Sequence, residues 1–60
     1  MLTRRELEIS LRIADGRTNA DIADELGISE ATVKAHLRTI LIKSNCRNRT
    51  ELAIKILKYV

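Results

Sequence analysis

Sixty residues carrying eleven Lys/Arg against eight Asp/Glu, a net charge of +3, one cysteine and no proline form at most one small domain. A lone Cys46 excludes an intrachain disulfide, Cys46 with the single His36 cannot complete a zinc site, and no apolar run approaches the roughly 20 residues that span a bilayer. Tyr59, the sole aromatic, argues against a stacking platform for single-stranded nucleic acid. The chain also has no paired carboxylates in a plausible pocket, no nucleophile beside a base, and too few residues for a deep cleft, which argues against an enzyme. No cofactor is implied, and a reduced, cytoplasmic setting is expected.

The first helix is expected over about residues 4–15. Thr3 and Glu6 have capping-box spacing, Leu2 can staple onto Leu7 across the cap, and Gly16 is placed to stop the helix in the left-handed conformation. Leu7, Ile9, Leu11, Ile13 and Ala14 supply its apolar surface. Ser10 falls where the period prefers a large aliphatic residue. Thr18 caps a second helix over about residues 19–26, with Asp21 giving a weaker capping box. Ile22, Ala23 and Leu26 share one face of it, and Asp21, Asp24 and Glu25 read as a solvated face.

Gly27 marks a tight turn, and Ser29 caps a third helix over about residues 30–44. Val33, Leu37, Ile40 and Leu41 point inward with His36 on the margin; Lys34, Ala35, Arg38, Thr39 and Ile42 point outward. Counting Asn19 as the first position of a helix-turn-helix, Ala23 is fifth, Gly27 ninth and Val33 fifteenth. The fifth side chain must be small where two axes approach, and the ninth residue wants φ > 0. Charge divides at the same place. Residues 1–28 hold four arginines against six carboxylates, whereas residues 29–60 hold seven cations against two carboxylates. A polyanion is therefore expected on the side of the third helix. Lys34 and Arg38 share a face with small Ala35 between them, as a helix entering a major groove requires.

Asn45 tolerates a left-handed C-terminal position, and Asn48 with Glu51 starts a fourth helix over about residues 49–59. Leu52, Ala53, Ile56 and Val60 lie on one side of it. Ile54 and Leu57 fall outside that face, so the apolar arc is wider than one core contact uses. It is either surplus at the end of the chain or the seat of a second copy.

These residues resemble the LuxR/FixJ-type helix-turn-helix domain, the DNA-binding module of many bacterial response regulators and quorum-sensing regulators. The matching segments are LTRRELEI (Leu2–Ile9), IADG (Ile13–Gly16), TNADIADELGISEATVKAH (Thr18–His36), LRTILIK (Leu37–Lys43) and RNRTELA (Arg47–Ala53). The resemblance implies an all-α, four-helix domain over residues 1–60 that binds double-stranded DNA in the cytoplasm, at the nucleoid. It implies base contacts at Lys34, Ala35 and Arg38, and backbone contacts at Ser29 and Thr32 beside a helix N-terminus that favours an anion. Asn19, Lys43 and Arg49 fall at further backbone positions. A homodimer through the last helix would use Thr50, Ile54 and Leu57. It also implies a receiver or ligand-binding domain upstream in most relatives, so the chain is expected to be an effector domain separated from it or a free-standing regulator.

The chain departs from the family pattern at Ser10 and Arg12, where bulky residues are usual, and at Lys43-Ser44-Asn45-Cys46, where Lys-Leu-Gly-Val is usual. Two lost aliphatics at Ser10 and Ser44 predict a low melting temperature, because each buried large-to-small change typically costs about 2–5 kcal/mol. Two rival readings stay open. A protein-interaction module could dock RNA polymerase or a partner regulator through Ile42, Ile54 and Leu57. The promoter-binding domain of a sigma factor shares the helix-turn-helix but accounts less well for the Thr3–Glu6 opening.

Overall fold

The computed structural model describes residues 1–58, and its helices begin at the caps the sequence supplies. Helix α1 (Arg4–Ala14) opens on a full capping box. The Glu6 N–H donates to Thr3 Oγ1 at 3.1 Å, and the Thr3 N–H donates to Glu6 Oε1 at 2.8 Å. Helix α2 (Asn19–Leu26) repeats the device with Thr18 and Asp21, both bonds at 3.1 Å. Helix α3 (Glu30–Lys43) starts at Ser29, whose hydroxyl accepts from the Thr32 N–H. Before α4 (Arg49–Lys58), Asn48 Oδ1 accepts from the Glu51 N–H, while the Glu51 carboxylate reaches past it to the Arg47 N–H at 2.8 Å. Tyr59, read as the end of the last helix, and Val60, read on its apolar side, lie outside the described residues.

Three residues with positive φ turn the chain between helices: Gly16 at +84°, Gly27 at +68° and Asn45 at +56°. Asparagine is among the few side chains that enter this region readily, so Asn45 takes the place of the family's glycine. The turn is closed by the Cys46 N–H donating to Leu41 C=O at 2.9 Å. Ser44 folds its hydroxyl onto Ile40 C=O at 2.6 Å, and Cys46 packs partly buried against the core as a small apolar group.

Ile9, Ile13, Ile22, Ala23, Val33, Ile40 and Leu52 form the buried core, with Leu2, Leu26, Ile28, Leu37, Leu41, Cys46, Ala53 and Ile56 packed around it. α1 lies against both α3 and α4, and α2 packs on α3. Among the described residues, the inward faces of the last three helices match the apolar positions read from their sequences. The first helix differs. Its buried face is Glu6, Ile9, Ser10 and Ile13, an i, i+3, i+4, i+7 stripe containing two polar residues. Leu7 and Leu11, expected to help line the core, are each 45% exposed. The polar pair can occupy the inner stripe because each is satisfied there: the Ser10 hydroxyl donates to Glu6 C=O at 2.8 Å, and the Glu6 carboxylate has charged and backbone donors. Among the described residues no buried side-chain nitrogen or oxygen lacks a hydrogen-bond partner. At Arg12, the second departure, the guanidinium donates to Glu25 Oε1 at 2.9 Å and to Glu8 C=O at 3.1 Å.

Candidate nucleic-acid interface

α2, the Gly27 turn and α3 build a helix-turn-helix. The left-handed Gly27 lets the Ile28 N–H donate back to Ala23 C=O at 3.0 Å, reversing the chain within two residues. Ala23 is 6% exposed and Val33 fully buried, so a small side chain and a β-branched one fill the angle between the helices. This packing fixes which side of α3 faces away.

On that side stand Lys34, Ala35 and Arg38, all exposed, so the three positions expected to face bases share one free surface. Neither Lys34 nor Arg38 has a carboxylate within ion-pair distance among the described residues, whereas every arginine of the acidic half does. Arg4 and Arg5 meet Glu8 at 3.7 and 3.4 Å; Arg12 and Arg17 each meet Glu25 at 2.9 Å, and Arg17 also meets Asp15. The cations of the acidic half are therefore paired within the fold, and the field of the α3 cations extends outward.

At the N-terminus of α3, the Ser29 and Thr32 hydroxyls lie 2.9 Å apart and exposed, beside the free N–H groups and the positive end of the helix dipole. The other expected backbone contacts already have protein partners. Asn19 Oδ1 and Arg17 C=O both accept from the Arg49 guanidinium, tying the start of α4 to the start of α2. These acceptors are neutral, so Arg49 keeps its full charge and spare N–H donors. Lys43 differs: its ammonium lies 2.9 and 3.2 Å from the two oxygens of Glu6, and its charge is compensated. The Thr3 N–H, then Lys43, holds the Glu6 carboxyl below the ordinary glutamate range. Thr18 does the same for Asp21 through its backbone N–H and hydroxyl.

Thr50, Ile54 and Leu57, the expected dimer face, form an exposed i, i+4, i+7 stripe on α4, with Ile54 52% and Leu57 61% exposed. Sequence reasoning did not identify the inward Glu6, the Glu6–Lys43 pair or the Arg49–Asn19 clamp. Glu6 was legible in one respect, since it stands three and four residues before Ile9 and Ser10 on what became the buried stripe. The partners were not, because each lies 30 or more positions away.

Comparison with known proteins agrees with this geometry. The profile of bacterial regulatory proteins of the luxR family matches residues 1–56. The chain is 49% identical over 53 residues to the transcriptional regulatory protein LiaR of Bacillus subtilis, covering 88% of this chain and 25% of that protein. It is 45% identical over 58 residues to the nitrate/nitrite response regulator protein NarP of Escherichia coli, covering 97% and 27%. With the transcriptional regulatory protein DegU of Brevibacillus brevis it shares 43% over 58 residues, covering 97% and 25%. The chain thus spans about a quarter of the length of the curated relatives it matches. Four helices arranged around a helix-turn-helix and a profile match along nearly the whole chain make it a member of the luxR family of bacterial regulatory proteins, and a DNA-binding domain of that family.

Proposed function

We propose that this domain is the effector of a bacterial transcription regulator and binds double-stranded DNA sequence-specifically, with α3 in the major groove and two copies on adjacent half-sites. The observation that carries the reading is the contrast in charge pairing: among the described residues Lys34 and Arg38 stand exposed without carboxylate partners, while Arg4, Arg5 and Arg12 of α1 and Arg17 of the connection to α2 are all ion-paired. Lys34, Ala35 and Arg38 then meet base edges, with long donors for guanine O6/N7 or phosphate and a small residue between them to allow close approach. Ser29 and Thr32, with the α3 N-terminus, hold a phosphate. Asn19 and Arg49 present a preassembled donor pair to the next phosphate, and Lys43, with one N–H beyond those used by Glu6, is a lesser one. The unpartnered stripe of Thr50, Ile54 and Leu57 supports pairing of two copies through α4. The site of action is the cytoplasm, at the nucleoid.

Selection of bound duplexes from a random pool tests binding, specificity and symmetry together. The expected product is a repeated or inverted half-site, retained at physiological salt. Leu57→Glu is expected to keep the fold, because Leu57 is 61% exposed, and to abolish joint occupancy of two half-sites. An unenriched pool would defeat the DNA assignment, and unchanged joint occupancy in Leu57→Glu would defeat the dimer.

A further inference from the structure

The outward side of α3 carries one large apolar residue that the contacts above leave unused. Ile42 is 75% exposed, and its position on the helix is specific. At 3.6 residues per turn, Ala31, Ala35, Arg38 and Ile42 fall within an arc of about 60°, opposite the buried Val33 and Ile40. Ile42 therefore stands on the centre line of the surface proposed to face DNA, seven residues or about 10 Å beyond Ala35. That distance is about three base-pair steps.

Beyond Arg38, α3 offers little hydrogen bonding of its own. The Thr39 hydroxyl is folded back onto Ala35 C=O at 3.4 Å, and Lys43 is held by Glu6. A branched aliphatic side chain at that point can recognise only an apolar feature of the groove, and the one such feature on a base edge is the C5-methyl of thymine. Lys34 and Arg38 beside it favour a polyanion over a protein partner, which would have to neutralise both cations in order to cover Ile42.

We propose that Ile42 is a specificity-determining residue that selects thymine, through its methyl group, about three base pairs from the position faced by Ala35. This rests on the placement of α3 in the major groove given above. The test uses the full chain and the duplex enriched by selection, with each thymine replaced in turn by deoxyuridine, which removes only the methyl. One thymine per half-site is expected to lose about 3–5-fold in affinity on replacement, the worth of roughly one buried methyl. In Ile42→Ala that loss should vanish at the same position while other positions are unchanged. Selection of a defined site with no methyl effect that depends on Ile42 overturns this proposal alone. Absence of duplex binding overturns it together with the reading of α3.

Discussion

The ammonium of Lys43, the last residue of α3, lies 2.9 and 3.2 Å from the two carboxylate oxygens of Glu6 in the first turn of α1. Glu6 is 5% exposed, and one of those oxygens also closes the cap on the Thr3 N–H. A single carboxylate thus caps the start of α1 and pairs with the last residue of α3. Because α3 carries the proposed DNA contacts, this pair belongs to what aims them.

The pair predicts acid sensitivity. A carboxyl whose folded pKa lies below its unfolded value adds stability that is fully present above the ordinary glutamate range and is lost as pH falls through the folded value. Glu6 and Asp21 both have this sign. Urea unfolding measured from about pH 6 down to about pH 2, across the carboxylate range, is expected to show falling stability, and Glu6→Gln should flatten the fall. At neutral pH, Lys43→Met should destabilise the domain by leaving a buried carboxylate without its cation, and adding Glu6→Gln should recover part of the loss. A double variant no more stable than Lys43→Met would show that the two residues do not act together.

Ile9 and Leu11 test which stripe of α1 faces the core. Ile9 is fully buried, and truncation to alanine should cost about 2–5 kcal/mol. Leu11→Ala removes a side chain that is 45% exposed and should cost less than about 1 kcal/mol. Chemical denaturation of the two variants decides it; equal losses would contradict the observed face.

Asn45 carries the only non-glycine positive φ among the described residues. Asn45→Gly should stabilise the domain by up to about 1 kcal/mol, and Asn45→Ala should destabilise it by about 1 kcal/mol, since a Cβ without a local hydrogen-bonding group is disfavoured in that conformation. Thermal unfolding of the pair measures both, and the predicted order is glycine, asparagine, alanine.

Arg38, Arg49 and Lys43 should separate in DNA titrations over a range of salt. Arg38→Ala is expected to weaken binding to the selected site by about 1–3 kcal/mol and to alter random duplex little. Arg49→Gln removes an uncompensated charge, so it should weaken both duplexes alike and reduce the salt slope by about one. Lys43→Met should leave that slope nearly unchanged, because Glu6 already balances its charge. A slope that fell equally in Arg49→Gln and Lys43→Met would show that Lys43 leaves Glu6 to reach phosphate.

Much of this architecture is local, and the sequence alone determined it. Thr3, Thr18, Ser29 and Asn48 announce helix starts because a cap bonds a backbone N–H only three residues away. Gly16, Gly27 and Asn45 announce stops because few residues tolerate positive φ. The helix-turn-helix follows from short spacings of the same kind, and so does the outward placement of Lys34, Ala35 and Arg38 once Val33 and Ile40 are known to face in. Tertiary packing decided the remainder. Two overlapping stripes on α1 could have been buried, and the angle at which α3 and α4 lie against it selected the one containing Glu6 and Ser10 over the one containing Leu7 and Leu11. The same packing brought Lys43 to Glu6 and Arg49 to Asn19. Whether a cation is neutralised or left to attract a polyanion depends on what lies within about 4 Å of it in space, and for residues thirty or more positions apart that distance is set by how the helices pack rather than by their order in the chain.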